Sequence, residues 1–458
     1  MKRKTVSLCM IARDEEASIG KAIKSALALV DEIVVVDTGS RDNTRIIAEG
    51  YGARIVDEVW RDDFAHARNA ALAAAACDWI LVLDCDEQLQ SVRPVDFQRL
   101  LNDPGVIGYR LNVAENQEIE KPRLQPSLRL FRNHPDVRYR YPVREQVTAS
   151  LSRVATHNGQ VVLDAPFLIL HDPGHADARS RKRDRNLRLL RLAIKNQPQE
   201  PFFAHQLARE TLQFLDGEVL PVAGLGTSLR HMQAAWRRVS EYSPEFRRLT
   251  TFGPQLARDL SGALLASGGW DEAAAVVDDA IAWWGGEPFL HLHAARATVA
   301  RLAAEPPVDA AARAAALETI ERHLGRVTKA AAAASASEAR LLVLNRCRLA
   351  GDLALLAGQV SEASEAYEQA LDHDQSYSAA WVGLADCARL AGDRKRALRL
   401  YLRAVTASEW NPLAWVRGCE LLDELGFHDN AASWRARAEE HFPEYQPTIV
   451  APLEPVDA

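Results

Sequence analysis

The chain has 458 residues, enough for two or three domains that each bury a core. A hydrophobic fraction of 48% and a charged fraction of 26% argue against global disorder, and a net charge of −7 argues against a dedicated nucleic-acid binder. Six cysteines, none in a CxxC pair and several inside apolar runs, read as buried free thiols of a reducing, cytoplasmic compartment.

Residues 5 to about 175 alternate between short apolar strands and helical patterns. VSLCMIA (6–12) reads as a buried strand, and EASIGKAIKSALALV (16–30) places apolar residues at helical spacing. The apolar stretch after Lys2–Lys4 meets Arg13 too soon to be a signal peptide, and no run approaches the ~20 apolar residues of a membrane span. EIVVVDTGS (32–40) is a β-branched strand ending in Asp37, and DNTRIIAEGYG (42–52) is a helix closed by glycine. ARIVDEV (53–59) is a strand, FAHARNAALAAAAC (64–77) a helix, and DWILVLDCDEQL (78–89) a strand that runs into acids. This alternation predicts a mainly parallel sheet covered on both faces, a Rossmann-like α/β domain over residues 1–178. In such sheets ligands bind beyond the carboxyl ends of the strands, where Asp37 to Ser40 and Asp84 to Glu87 gather.

RSRKRDRNLRLLR (179–191) is a basic helix candidate within a linker, 179–197. It reads either as a solvated linker face or as cations that reach the ligand site. From Pro198 onward strands disappear and Ala-rich helices take over. Gly358, Gly392 and Gly426 lie 34 residues apart, as do Ala363, Ala397 and Ala431; Tyr367 and Tyr401 share the interval, and so do Trp381 and Trp415. A period of 34 with small residues at helix crossings resembles the tetratricopeptide repeat, expected over 336–446. Gly268, Ala273 and Ala280 repeat the internal spacing, so an all-α region of degenerate repeats is expected over 198–335, with a loop at Glu305–Val308 and a weaker helical pair near 200–250. Residues 447–458 form a tail.

Two carboxylates at i and i+2 after a strand, Asp84 and Asp86, can offer oxygens to a hard divalent cation and leave positions open for phosphate. The order of VSLCMIARDEEASI, EIVVVDTGSRDNTRIIA, DDFAHARNAAL and DWILVLDCDEQL resembles the family 2 glycosyltransferases of GT-A fold. More closely it resembles the subgroup with tetratricopeptide repeats behind the catalytic domain, which includes enzymes that glycosylate bacteriocin peptides. The resemblance covers about residues 5–190, and the repeats extend it along most of the chain.

That resemblance implies a nucleotide-sugar donor, with UDP as the expected carrier, and an inverting transfer. Asp37 would bond the base, Glu15 would lie beside the nucleoside, and Arg68 would contact base or diphosphate. Asp84 and Asp86 would hold Mg²⁺ or Mn²⁺ against the diphosphate. Alternatives stand beside these roles: Asp37 as a helix cap, Arg68 as a partner of Asp62 or Asp63. Asp14 stands where the family tends to have Asn. The family's later motif is matched by Leu130-Phe131-Arg132-Asn133, then Val143-Arg144-Glu145-Gln146, then His171 before Gly174. Glu145 is thereby the candidate base, against an ion pair with Arg144 or Arg140. His171 is the candidate third metal ligand, against a structural role. Arg144 replaces the family's usual histidine and is a candidate phosphate contact. The repeats are expected to recruit a peptide, protein or glycan acceptor or to form a homodimer. The competing classes are a non-catalytic repeat scaffold, which has no reason to keep the whole acid set, and a nucleotidyltransferase, which would show a Gly- and Lys-rich loop where ARDEEAS stands.

Overall fold

The computed structural model describes residues 3–115, 125–172, 176–212, 214–215, 218–220, 224–248, 250–285, 287–305, 309–332, 334 and 336–442. Gly174, most of the Glu305–Val308 loop and the 447–458 tail lie outside these residues. The chain divides into two compact units, Met1–Gln197 and Pro198–Ala458.

The first unit opens with β1 (Val6–Ala12), α1 (Ile19–Ala26), β2 (Glu32–Asp37), α2 (Thr44–Gly50), β3 (Arg54–Asp57), α3 (Phe64–Ala74) and β4 (Trp79–Val82). It continues with β5 (Glu87–Leu89), α4 (Pro94–Leu101), β6 (Val106–Glu115), β7 (Gln125–Arg132), α5 (Thr148–Asn158), β8 (Val161–His171) and α6 (Ala176–Asn196). Side chains of a strand alternate between faces, and here the alternation divides two cores. Leu8, Met10, Ile33, Val35, Trp79 and Leu81 pack beneath Ile19, Ile23, Ala48 and Phe97 of the helices on one face. Cys9, Val34, Val36, Ile80 and Val82 pack on the other face against Ala67, Ala71, Leu151 and Val154 of α3 and α5. Burial on both faces is why these strands read as unbroken apolar runs.

The sheet runs β3-β2-β1-β4-β7-β6-β8-β5. Its first four strands are parallel, as the alternation predicted, and so is the β6–β8 pair; β4–β7, β7–β6 and β8–β5 are antiparallel, so the sheet is mixed with four of its seven pairs parallel. The single strand expected over 78–89 is two. Four residues separate β4 from β5 in sequence, yet four strand steps separate them in the sheet. A flat sheet would put them about 19 Å apart, beyond the roughly 17 Å that the connection spans when fully extended. The sheet therefore curls, and the Asp84–Asp86 turn sits inside the bend. α6, expected within a linker, falls in the first unit.

The second unit holds α7 (Pro201–Thr211), β9 (Phe214–Leu215), β10 (Glu218–Val219), α8 (Leu225–Ser240), α9 (Pro244–Arg248), α10 (Gly253–Ala266), α11 (Trp270–Trp284), α12 (Pro288–Ala304) and α13 (Ala310–Ala331). It ends with α14 (Ala336–Leu356), α15 (Val360–His373), α16 (Ser378–Leu390), α17 (Arg394–Ala407), α18 (Pro412–Glu424) and α19 (His428–His441). The antiparallel β9–β10 pair departs from the strand-free expectation for this half. Gly268, Gly358, Gly392 and Gly426 all have φ between 79° and 81°, a left-handed turn that glycine enters without the Cβ clash. Ala273, Ala280, Ala363, Ala370, Ala397 and Ala404 are fully buried at the helix crossings, which is what the repeat spacing required. Gly351 and Gly383 abut the Tyr367 ring so closely that no Cβ fits.

Candidate active site

β1 and β2 end together, with Ala12 beside Asp37, and β4 lies on the other side of β1. Asp37 is thus two strand spacings, about 10 Å, from the β4 end. Its buried carboxylate accepts the Ser40 N–H at 3.2 Å, and Arg45 lies 3.8 Å away. It does not cap α2; Asp42 accepts the Thr44 N–H at 3.0 Å instead.

The β1–α1 loop is latched to the β2–α2 loop. The Asp14 N–H donates to Ser40 Oγ at 3.0 Å, the Glu15 N–H to Thr44 Oγ1 at 2.7 Å, and the Arg41 N–H to Asp14 Oδ1 at 2.7 Å. Asp14 has φ 54°, a left-handed conformation that Asp and Asn tolerate best, which accounts for either residue serving there. Glu15 accepts the Ser18 hydroxyl at 2.6 Å. Burial raises its carboxyl above the usual range, with Asp86 adding to the effect.

The Asp84-Cys85-Asp86 turn faces two directions. Cys85 is buried and donates to the Ile11 carbonyl at 3.3 Å, tying the turn to β1. Asp84 Oδ1 accepts Arg68 at 2.7 Å, and Arg129 lies 3.7 Å from Oδ2. Burial alone would raise Asp84, but Arg68 and Arg129 hold it well below the usual carboxylate range. Asp86 turns to His171 Nε2 at 3.4 Å and accepts a hydrogen bond from Lys182 of α6. The register of β5 against β8 pairs Glu87 with His171, which sets the imidazole beside Asp86. Despite burial Asp86 is lowered by these partners, and its hydrogen bond raises His171 above the ordinary imidazole value.

Asp84, Asp86 and His171 are therefore not assembled as one three-ligand set, because Arg68 takes the Asp84 carboxylate. Among the described residues no group of three or more His, Cys, Asp or Glu side chains is arranged to hold a metal ion. The Asp86 oxygen and the His171 nitrogen do converge, and a carboxylate with an imidazole is a donor pair that suits a divalent cation whose remaining positions go to phosphate and water.

Glu145 is brought to this edge by α3. Arg68 donates from Nε to Glu145 Oε1 at 2.6 Å, so one guanidinium joins Glu145 and Asp84, and the expected partners Asp62 and Asp63 are used elsewhere. Asp62 holds Arg188 at 2.8 Å, and Asp63 caps α3 by accepting the His66 N–H at 2.9 Å. Asn69, next to Arg68, exchanges two hydrogen bonds with the Tyr139 main chain at 2.8 and 3.0 Å, and the Phe64 N–H donates to the Pro142 carbonyl at 2.8 Å. The Glu145 loop closes through the Arg140–Gln146 bridge and carries two non-glycine residues in the left-handed region, Tyr141 at φ 73° and Arg144 at φ 57°. Such backbone strain persists where surrounding contacts over-determine it. Arg144 is exposed on this loop. Arg140 lies over the Tyr141 ring at 5.4 Å, while Glu145 is met by Arg68.

Arg129 is a site residue that the sequence did not mark, and Glu87 was marked only as a member of the strand-end cluster. Both are nearly buried, they pair at 2.5 Å, and Glu87 accepts the Asp84 N–H at 2.9 Å. The available signal was a cation set between Leu128 and Leu130 in the apolar centre of β7. Lys182 was seen only as part of a basic run.

Residues 7–144 match the model of the Glycosyl transferase family 2 family, and residues 354–407 match a Tetratricopeptide repeat model. A TPR repeat-containing protein of Synechococcus elongatus is 44% identical over 146 residues, 32% of this chain and 36% of the relative. An uncharacterized glycosyltransferase of Rickettsia felis is 30% identical over 125 residues, 26% of this chain and 43% of the relative. The chain thus spans less than half the length of these curated relatives. A solved structure of glucosyl-3-phosphoglycerate synthase from Mycobacterium tuberculosis, in complex with Mn²⁺, UDP and glucosyl-3-phosphoglycerate, aligns with a TM-score of 0.31 at 20% identity, covering 42% of this chain and 79% of that one. The chain carries a family 2 glycosyltransferase domain followed by a tetratricopeptide repeat region. No helix among the described residues is long and apolar enough to cross a membrane.

Proposed function

We propose that the first unit is an inverting glycosyltransferase that moves a sugar from a nucleotide-sugar donor, UDP-linked by expectation, to an acceptor. The observation that carries this reading is the joining of Glu145, Arg68 and Asp84 in one network at the strand ends that also bear Asp37 and Asp86. Asp37 receives the base of the donor, and Glu15 lies along the nucleoside. Asp86 and His171 are the residues that would hold Mg²⁺ or Mn²⁺, whose charge would neutralise the diphosphate as it departs. Asp84 acts through Arg68, which it orients, and Arg144 contributes at the diphosphate or the acceptor.

The acceptor attacks the anomeric carbon as the bond from that carbon to the phosphate oxygen breaks, and the electron pair leaves with the diphosphate. The sugar passes through an oxocarbenium-like state. Glu145 takes the acceptor's proton, held in orientation by the Arg68 Nε–H.

The second unit recruits the acceptor, a peptide, a protein or a glycan, or pairs two copies of the chain. Supporting this is a cavity of about 340 Å³ lined among others by Arg348, Asp352, Tyr367, Asp386, Arg389 and Arg417. Asp352, Asp386 and Glu420 recur among its lining residues at the 34-residue period.

A panel of nucleotide-sugars screened by thermal shift, with and without Mn²⁺ or Mg²⁺, tests the assignment. Stabilisation by one donor that requires the metal is expected. Absence of any metal-dependent shift across the panel would remove the reading.

A further inference from the structure

α6 lies beyond the segment matched to the transferase family, yet it carries three cations toward the acid edge. Lys182, Arg185 and Arg188 follow one another at intervals of three residues, which keeps them on neighbouring turns of one side. Their engagements differ. Arg188 is gripped by Asp62 through bonds of 3.0 and 2.8 Å, which anchors the helix to the turn before α3. Leu189 and Leu190 are buried beside it, so this end of the helix is fixed by packing as well.

Lys182 donates to Asp86 Oδ2, the same oxygen that His171 faces at 3.4 Å. Arg185 stacks its guanidinium over the Phe64 ring at 4.9 Å and makes no ion pair among the described residues. Stacking occupies the face of the guanidinium and leaves its in-plane N–H donors directed outward. Desolvation lowers its basicity and the Arg188 charge adds to that, while Glu145, Glu15 and Asp86, on three separate loops of the site, oppose it. An exposed cation lying over an aromatic ring, one helical turn from the lysine that reaches Asp86, can meet a polyanion arriving at that edge.

We propose that Lys182 and Arg185 form a two-cation clamp for the diphosphate leaving group, and that Lys182 occupies Asp86 in the donor-free protein until a dication displaces it. The proposal rests on the glycosyltransferase reading given above. As the bond from the anomeric carbon to the phosphate oxygen breaks, the added negative charge on that oxygen is met by the Lys182 ammonium and by the Arg185 fork, which is shaped for phosphate. One residue then has two opposed effects. Lys182 competes with the metal for Asp86, and it assists the nucleotide that follows the metal.

The test is calorimetric titration of the full chain with Mn²⁺ alone, then with UDP and with GDP at saturating Mn²⁺. Lys182→Met is expected to bind Mn²⁺ alone up to about fivefold more tightly, the release expected for a half-exposed ion pair. The same variant is expected to bind the nucleotide roughly ten- to a hundredfold more weakly, as the loss of one charge-assisted hydrogen bond implies. Arg185→Met should weaken the nucleotide by about tenfold, leave Mn²⁺ alone unchanged, and regain part of the loss as Arg185→Lys. A purely structural role would move both affinities of Lys182→Met downward together, and that result overturns the proposal. Wild-type nucleotide affinity in Lys182→Met and Arg185→Met overturns it as well, while leaving the glycosyltransferase reading intact. Failure of the wild-type chain to bind either nucleotide with Mn²⁺ would overturn both.

Discussion

Replacing Arg68 with methionine keeps an unbranched apolar stem but removes the guanidinium whose charge joins the two halves of the site. The Arg68 side chain is 10% exposed and donates to Glu145 at 2.6 Å and to Asp84 at 2.7 Å. Its loss strands the Glu145 carboxylate, 14% exposed, and leaves Asp84 with Arg129 alone at 3.7 Å. Removing one partner of a buried pair costs about 3–5 kcal/mol because the other charge stays desolvated. The low end applies here, since Asp84 keeps Arg129 and is partly solvated, so about 3 kcal/mol is expected. For a unit of this size that lowers Tm by roughly 6–12 °C. Differential scanning calorimetry of the full chain, following the transition of the first unit, reads the shift. The double variant Arg68→Met with Glu145→Gln removes the stranded charge and should be the more stable of the two by about 1–2 kcal/mol. A single variant within about 2 °C of wild type, or a double variant less stable than the single, would refute the claim that Arg68 neutralises these carboxylates.

Three further outcomes are expected. Glu145→Gln should bind donor within about threefold of wild type while transferring the sugar roughly a hundredfold or more slowly, read by steady-state kinetics; undiminished turnover would move the base to another residue. His171 is raised above its ordinary value by Asp86, so it lends the metal-free protein stability that is complete below about pH 6.5 and is lost as pH rises through the raised value. Mn²⁺ binding should correspondingly release a proton and tighten as pH climbs through that value, an effect absent in His171→Ala; a pH-independent affinity would contradict the pairing. Gly383→Ala pushes a methyl into the Tyr367 ring and should destabilise the second unit by about 1–3 kcal/mol, while leaving the transition of the first unit unmoved. An unchanged second transition would show that the helix crossing can open.

The parts of the fold that were legible are those whose burial is written locally. β1, β2 and β4 are buried on both faces, so their apolar runs mark them, and the turn glycines of the repeats betray a left-handed backbone through their 34-residue period. β5 was illegible because EQL carries no strand pattern of its own; it is a strand only because β8 supplies its partner. The three antiparallel pairs could not be read for a similar reason, since which strands pair is decided by the curl. In the site, Asp37, Asp84 and Asp86 could be picked out because strand ends collect ligand residues. Their partners could not, because they lie far off in sequence: Arg68 meets Glu145 across 77 residues and Lys182 meets Asp86 across 96. Asp84 and Asp86 looked like twin ligands, yet the turn held by Cys85 sends one to a guanidinium and the other to an imidazole.

A structure of the full chain bound to a uridine nucleotide and Mn²⁺ tests the central proposition most directly. One nucleotide is expected, its base against Asp37 and its diphosphate at a Mn²⁺ held by Asp86 and His171, with Glu145 on the opposite side of the sugar position. A nucleotide that touches one of these ends without the other, or a Mn²⁺ bound away from Asp86, would contradict it.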